Sequence, residues 1–106
     1  YDWVVWVDAD VLFMDLSGDI IAQVIEFAKP DIHMLVCLDD PEFLPAEGKR
    51  ATSTNTGTIA MRGSNWSQEF LSTWWSHDEA QIGESDQTVL DLLMSEGGTA
   101  VTNHIA

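Results

Sequence analysis

The chain has 106 residues and a formal net charge of −14, from 18 acidic and four basic side chains. That charge argues against binding to nucleic acid or to an anionic membrane, although a phosphate-bearing ligand stays open if a metal ion supplies positive charge. The 45% hydrophobic content predicts one small packed domain, and no segment approaches the roughly 18 apolar residues of a membrane span.

Near the start of the chain, the segment Trp3–Phe13 (WVVWVDADVLF) carries the strongest functional pattern. Its Val- and Trp-rich beginning predicts a strand buried on both faces. Alternation along an extended chain then places Asp8 and Asp10 on the same side. Two carboxylates at such a short distance repel each other, and a divalent cation with oxygen ligands relieves the repulsion. The alternative is that each Asp is an ordinary turn or capping residue.

The next two segments predict a helix and a second strand. Apolar residues at positions 20, 21, 24, 25 and 28 recur at helical spacing. They predict an amphipathic helix of about three turns, which Ser17 or Asp19 caps. Ile32–Leu38 (IHMLVCL) then predicts a second buried strand.

Two residues of that strand and the segment after it have less specific interpretations. His33 is predicted to be a hydrogen-bonded, partly buried histidine rather than a ligand. Cys37, the single cysteine, is predicted to be a small core residue. Residues 41–54 (PEFLPAEGKRATST) predict a loop longer than most connections, and loops of this length are often functional.

A third strand is predicted over Thr58–Arg62, and the segment Asn55–Gly57 precedes it. Asn and Gly tolerate unusual backbone angles, so the simpler interpretation of Asn55–Gly57 is a turn. The functional alternative is a tight turn that presents an amide and backbone groups to a ligand.

The second half of the chain predicts two helices and a short strand. The first helix covers residues 65–76, with Ser64 or Asn65 as its cap, and its aromatic stripe predicts core packing. The second is capped by Ser85, begins at Asp86 and ends at residues 97–98. Asp86 has a simple explanation there, because a negative charge in the first turn favours the helix dipole. Thr99–Thr102 is predicted to be one more strand.

The alternation of strands and helices predicts an α/β layered fold in which helices cover a mostly parallel sheet. Three stretches in this order resemble glycosyltransferase family 34, whose members have the GT-A nucleotide-diphospho-sugar transferase fold. They are WVVWVDADVLFMD at residues 3–15, NTGTIAMRGSNWSQEFLSTWW at residues 55–75, and SDQTVLDLL at residues 85–93. The family holds galactosyl-, mannosyl- and xylosyltransferases, which retain anomeric configuration.

The resemblance implies roles for particular residues. In the family the DxD carboxylates, here Asp8 and Asp10, hold Mn²⁺ on the diphosphate of a nucleotide-sugar donor. The Asn-Thr-Gly segment, here Asn55, Thr56 and Gly57 (Asn55–Gly57), lies at the donor-sugar and acceptor side. Asp86 and Gln87 match residues near the anomeric carbon, which implies that Asp86 holds sugar hydroxyls and that Gln87 stabilises an oxocarbenium-like centre.

The resemblance also implies a setting for the chain. Residues 1–106 are expected to form a single, partial catalytic domain whose upstream nucleotide-binding part is missing. A glycan acceptor, a membrane anchor outside this region and a location on the lumenal side of the Golgi membrane are further expectations. The family's additional metal ligand, a His downstream of the Asp-Gln helix, is not equated with His104.

Two rival hypotheses remain. A haloacid-dehalogenase-like phosphotransferase also has a DxD after a buried strand, but a Thr usually stands where this chain has Leu12, and no Lys-centred motif is evident downstream. The other rival is a non-catalytic fragment in which Asp8 and Asp10 bind a divalent metal or a sugar without transfer chemistry.

Overall fold

A computed structural model describes residues 2–14, 17–26, 28–39 and 54–106. The elements in chain order are β1 (Trp3–Val7), α1 (Ile20–Glu26), β2 (Met34–Leu38), β3 (Thr54–Arg62), α2 (Asn65–Ser76), α3 (Asp78–Gln81), α4 (Asp86–Gly97) and α5 (Thr99–Thr102). Helices together with a sheet confirm the predicted α/β class. None of the helices within these ranges is long and apolar enough to cross a lipid bilayer.

The described strands form one sheet in the order β1-β3-β2, and both neighbouring pairs are antiparallel. The prediction of a mostly parallel sheet is therefore wrong for these strands. The strands β1 and β2, which α1 separates in the sequence, do run in the same direction, as in a parallel unit. The long strand β3, however, inserts between them in the opposite direction and takes the hydrogen bonds of both.

Within this sheet β1 is an edge strand, so the prediction of burial on both faces is wrong. Its exposure alternates along the strand, and Val4 and Trp6 are 60% and 63% exposed. These two residues stand opposite Met61 and Ile59 of β3. Because opposite residues of an antiparallel pair share a face, Val4 and Trp6 extend the face that carries the core.

That core face is covered by α2 and α4, whose caps and apolar positions follow the prediction. Ser64 Oγ accepts from the N–H of Ser67 at the start of α2, and Ser85 Oγ accepts from the N–H of Thr88 at the start of α4. The buried cluster unites both helices with the sheet, and its members are Met34, Ile59, Met61, Phe70, Val89, Leu90 and Leu93. Trp66 and Trp74 pack against it, which confirms the aromatic stripe of α2.

Several local predictions need correction. Thr99–Thr102 is helical (α5) rather than extended, because the chain continues its turns after Gly98. The strand-like pairing comes later, where Ile105 forms a parallel bridge with Met34 at the outer side of β2. The short helix α3 lies between α2 and α4, where the sequence analysis predicts no helix.

Two further differences concern α1 and β2. The predicted three-turn helix is shorter and spans Ile20–Glu26, with Asp19 Oδ1 accepting from the N–H of Ala22 as predicted for a cap. Cys37 is exposed rather than in the core, because it sits near the end of β2, where the pairing with β3 becomes irregular. Except for Thr54, the predicted loop 41–54 lies outside the described residues.

The predicted partial burial and hydrogen bonding of His33 are confirmed. The residue is partly buried, its Nδ1 and the Oγ of Ser64 are hydrogen-bonded at 2.8 Å, and its ring stacks on Trp66 with centroids 5.5 Å apart. The ring of His104 approaches edge-on at 5.3 Å, and its Nδ1–H donates to the carbonyl of Asp31. These contacts join the C-terminal segment to the start of α2.

The opposite face of the sheet carries an apolar groove of about 490 Å³. Leu35 and Ala60 of the sheet form its floor, and Val24 and Ala28, from α1 and the residues that follow it, form part of its wall. This groove lies on the other side of the sheet from α2 and α4, and it contains none of the carboxylates singled out in the sequence.

Candidate functional site

The two motif carboxylates follow the end of β1, where the backbone stops being extended. The strand ends at Val7, and the N–H of Val11 donates to the carbonyl of Asp8 at 3.2 Å, which closes a turn. Asp8 and Asp10 are both exposed. Alternation along an extended chain therefore does not relate them, and that premise of the prediction is wrong. Their role as metal ligands stays a prediction that depends on the turn.

The sheet brings Asp8 and Gly57 together. The N–H of Asp8 donates to the carbonyl of Gly57 at 2.9 Å, which continues the β1–β3 register by one pair. A Cβ added at Gly57 would lie 3.4 Å from Oδ2 of Asp8 and 3.0 Å from Oδ1 of Asn55. The absence of a side chain at Gly57 therefore leaves a narrow cradle between the carboxylate oxygen of Asp8 and the amide oxygen of Asn55.

The segment Asn55–Gly57 belongs to β3, so the prediction of a turn before the strand is wrong. Its irregularity is real, because Val36 of β2 pairs with Ile59 whereas the next residue, Cys37, pairs with Asn55. The intervening residues leave the register as a bulge, and the N–H of Gly57 donates to Oδ1 of Asn55. Bulges of this kind re-aim the strand and its side chains. Thr56, in the middle of the segment, is buried.

A residue that the sequence analysis did not single out contacts the carboxylate directly. The Nε1–H of Trp6 donates to Oδ1 of Asp8 at 3.0 Å. The two residues are separated by two positions, which places them on the same side of the strand end. The position of Trp6 in the motif is visible in the sequence, but a hydrogen bond from its indole is not.

The start of β3 is also tied to α4. The hydroxyl of Thr54, which is 1% exposed, donates to Oδ1 of Asp91 at 2.8 Å. Gln87 lies four residues before Asp91, so both are on one face of α4. Gln87 is half-buried, whereas Asp86 in the first turn is exposed. The structure thus links the Asn-Thr-Gly strand to the Asp-Gln helix, through a residue, Asp91, that the sequence analysis missed.

The side chain of Arg62 does not supply positive charge at this site. The guanidinium of Arg62 donates to the carbonyls of Ile32 and Lys29, and it stacks over the ring of Trp3 at 4.7 Å. Arg62 also stands five residues from Gly57 along β3, roughly 16 Å at the rise of a strand. Arg62 therefore fastens the opposite end of the sheet.

The oxygen donors present suit a hard divalent cation. Carboxylates of Asp8 and Asp10 are the ligand type that Mg²⁺ and Mn²⁺ prefer, and such ions are usually held by one or two carboxylates together with substrate phosphates and water. Among residues 2–14, 17–26, 28–39 and 54–106, no group of three or more His, Cys, Asp or Glu side chains could hold a metal. The donor set fits an ion that is shared with a phosphate ligand.

Comparison with known proteins identifies the family of the chain. The profile of the nucleotide-diphospho-sugar transferase family matches residues 3–104. A rice protein (Oryza sativa subsp. indica) named "Probable glycosyltransferase 3" is 34% identical over 73 residues, which is 69% of this chain and 14% of that protein. An Arabidopsis thaliana protein named "Probable xyloglucan 6-xylosyltransferase 5" is also 34% identical over 73 residues, 69% of this chain and 15% of that protein.

These relatives are much longer than the region that they share with the chain, which spans 14% of the rice protein and 15% of the Arabidopsis protein. No solved structure is significantly similar to the chain. The family match over residues 3–104 nevertheless includes every described element from β1 to α5. It includes the Asp8 turn, the Asn-Thr-Gly bulge and the Asp-Gln helix in one alignment. The chain therefore belongs to the nucleotide-diphospho-sugar transferase family.

Proposed function

We propose that this chain contributes the donor site of a metal-dependent, retaining glycosyltransferase of family 34. Such an enzyme moves a hexosyl or pentosyl unit from a nucleotide-diphosphate sugar to a glycan acceptor. The observation that carries the proposal is the pairing of Asp8 with Gly57. It brings the DxD motif and the Asn-Thr-Gly segment, which lie about 50 residues apart in sequence, to one end of the sheet.

The acidic character of the site supports a role for a metal ion. Asp8 and Asp10 would hold Mn²⁺, or another divalent cation, against the donor diphosphate. The bound ion would supply Lewis-acid stabilisation to the departing nucleoside diphosphate. Oδ2 of Asp8 lies on the side of the Gly57 backbone, 3.4 Å from the position that a Cβ of Gly57 would take.

The sugar-binding side of the proposal rests on β3 and α4. The amide of Asn55, the backbone of Gly57 and the buried Thr56 form the strand that lies against Asp8. The Thr54–Asp91 hydrogen bond fastens that strand to α4. We assign Asp86 to the sugar hydroxyls and Gln87 to the region of the anomeric carbon, where its neutral amide would face developing positive charge.

The family assignment also suggests a setting. The Arabidopsis relative is named "Probable xyloglucan 6-xylosyltransferase 5", which supports a pentose donor and a polysaccharide acceptor. By resemblance to family 34, the protein would work on the lumenal side of the Golgi membrane. Membership in the nucleotide-sugar transferase family favours sugar transfer over the phosphotransferase hypothesis, in which Asp8 would be a nucleophile.

A donor-hydrolysis assay tests the proposal. The whole product of the gene that encodes this chain is incubated with Mn²⁺ and each of a panel of UDP- and GDP-sugars, and released nucleoside diphosphate is measured by chromatography. We expect release from one donor, and its loss on chelation of the metal. Metal-dependent binding without any release, with or without oligosaccharide acceptors, would instead identify a non-catalytic module. Trapping of a phosphoenzyme at Asp8 would overturn the glycosyltransferase assignment.

A further inference from the structure

The indole of Trp6 is placed in an unusual way for a large aromatic side chain. Trp6 lies on the face of β1 that continues the hydrophobic core, yet it is 63% exposed. Burial stabilises a large apolar side chain in proportion to the area removed from water, and Trp6 leaves most of its surface in solvent. Packing therefore explains the position of Trp6 poorly.

Its specific polar contact is the hydrogen bond from Nε1–H to Oδ1 of Asp8, at 3.0 Å. An indole N–H can only donate, and a carboxylate can only accept, so the direction of this bond is fixed. It occupies one oxygen of Asp8 and restricts rotation of the carboxylate. The other oxygen, Oδ2, faces the position that a Cβ of Gly57 would take, 3.4 Å away.

We infer that Trp6 is a positioning residue, which holds the carboxylate of Asp8 so that Oδ2 faces the metal and the donor diphosphate. The inference deepens the proposed function and rests on it. Carboxylates that bind metals are commonly held by a hydrogen bond from a second residue, and loss of such a partner typically costs about 10–100-fold in metal affinity. Trp6 would act through Asp8, without contacting the metal itself.

The test measures binding of Mn²⁺ alone to the whole gene product, from the electron paramagnetic resonance signal of free Mn²⁺. Trp6→Phe removes the N–H donor. Replacement of Trp6 by 3-benzothienylalanine keeps the shape of the ring and puts sulfur in place of N–H, so it isolates the hydrogen bond even if Trp6→Phe impairs folding. Trp75→Phe is the matched control, because Trp75 is an exposed tryptophan on α2.

We expect both Trp6 replacements to raise the dissociation constant for Mn²⁺ about 10–100-fold, with Trp75→Phe at the wild-type value. In an Asp8→Asn background, a Trp6 replacement should have no further effect. In the donor assay, the Mn²⁺ concentration for half-maximal rate should rise while kcat at saturating Mn²⁺ is kept, a split that general loss of structure would not produce.

Two results would overturn the inference, and they differ in what they say of the proposed function. If the benzothienyl variant binds Mn²⁺ like the wild type while Asp8→Asn loses binding, the metal site stands and Trp6 has no part in it. If the wild type and Asp8→Asn bind Mn²⁺ equally, the metal site at Asp8 fails, and the role of Trp6 fails with it.

Discussion

Thr54 and Asp91 are joined by a 2.8 Å hydrogen bond between a hydroxyl and a carboxylate that lie 37 positions apart. Thr54 is the first residue of β3 and immediately precedes Asn55, whereas Asp91 lies one helical turn after Gln87. This contact fixes the distance between the two stretches to which we assign the donor sugar. Any change in it should therefore affect both stability and the geometry of the site.

The first prediction concerns this bond. Thr54→Val keeps the shape of the side chain but removes a buried donor to a carboxylate, and hydrogen bonds to charged groups contribute about 1.5–3 kcal/mol. We expect the free energy of unfolding, measured by urea denaturation, to fall by about that amount. Thr54→Ser, which keeps the hydroxyl, should lose much less. Equal stability of the Val and Ser variants would show that the hydrogen bond contributes little.

Gly57 provides the second prediction. In Gly57→Ala the new methyl group would stand 3.0 Å from Oδ1 of Asn55 and 3.4 Å from Oδ2 of Asp8, so it would crowd the amide and cover the carboxylate. Stability should change by less than about 1 kcal/mol, because the crowding opposes the gain from a less flexible unfolded chain. Affinity for Mn²⁺, measured by calorimetry, should fall.

Thr58→Ala is the control for that substitution, since Thr58 is the next residue of β3 and lines the groove on the opposite face of the sheet. It should leave the Mn²⁺ affinity unchanged. An alanine at position 57 that binds Mn²⁺ as tightly as the native glycine would argue that the cradle is not used.

The third prediction separates two explanations of Asp86. If Asp86 only interacts favourably with the dipole of α4, Asp86→Asn should lower the free energy of unfolding by about 0.3–1 kcal/mol and leave activity intact. If it holds sugar hydroxyls, the KM for the donor should rise at least tenfold with the same small loss of stability. Steady-state donor hydrolysis and urea denaturation of one variant decide between them, with Asp78→Asn, in the first turn of α3, as the control.

The fourth prediction is a pH dependence of stability. The pKa of His33 is lowered from its ordinary value of 6.5, mainly by burial and further by the positive charges of His104 and Arg62, against an opposing effect of Asp31. Between the lowered pKa and 6.5 the unfolded chain binds more protons than the folded chain. The contribution of His33 to stability is therefore complete above about pH 6.5 and is lost as the pH falls below it.

Urea midpoints between pH 7.5 and pH 5.5 check this prediction. The wild type should become less stable towards pH 5.5, and His33→Gln should remove part of that decrease. His77→Gln, at the junction of α2 and α3, should keep it. If His33→Gln kept the full wild-type decrease in stability, that decrease would originate from a group other than His33.

The predictions from sequence succeeded where the interactions are local. Ser64 and Ser85 cap their helices through hydroxyls that accept from backbone N–H groups three residues later, and such caps can be identified from residue type and position. The aromatic stripe of α2 is likewise set by a spacing within one element. The α/β class followed from the succession of these elements.

The predictions failed where distant segments meet. Strand direction depends on β3 inserting between β1 and β2, and no pattern within a single strand specifies that. The bulge at Asn55–Gly57 arises from pairing with β2, so a local interpretation gave a turn instead. The Thr54–Asp91 bond joins residues far apart in the chain. The Trp6–Asp8 bond is local, but it was missed because the apolar run around Trp6 predicts a buried strand, whereas the indole is exposed.

Calorimetric titration of nucleotide sugars into the whole gene product, with and without Mn²⁺, tests the central claim most directly. The comparison includes Asp8→Ala and Asp10→Ala, each verified to be folded. We predict that the wild type binds one nucleotide sugar only when Mn²⁺ is present, and that both variants lose this binding. A folded wild-type protein that binds no nucleotide sugar with Mn²⁺, or variants that bind as the wild type does, would contradict the assignment of Asp8 and Asp10 to a metal-dependent donor site.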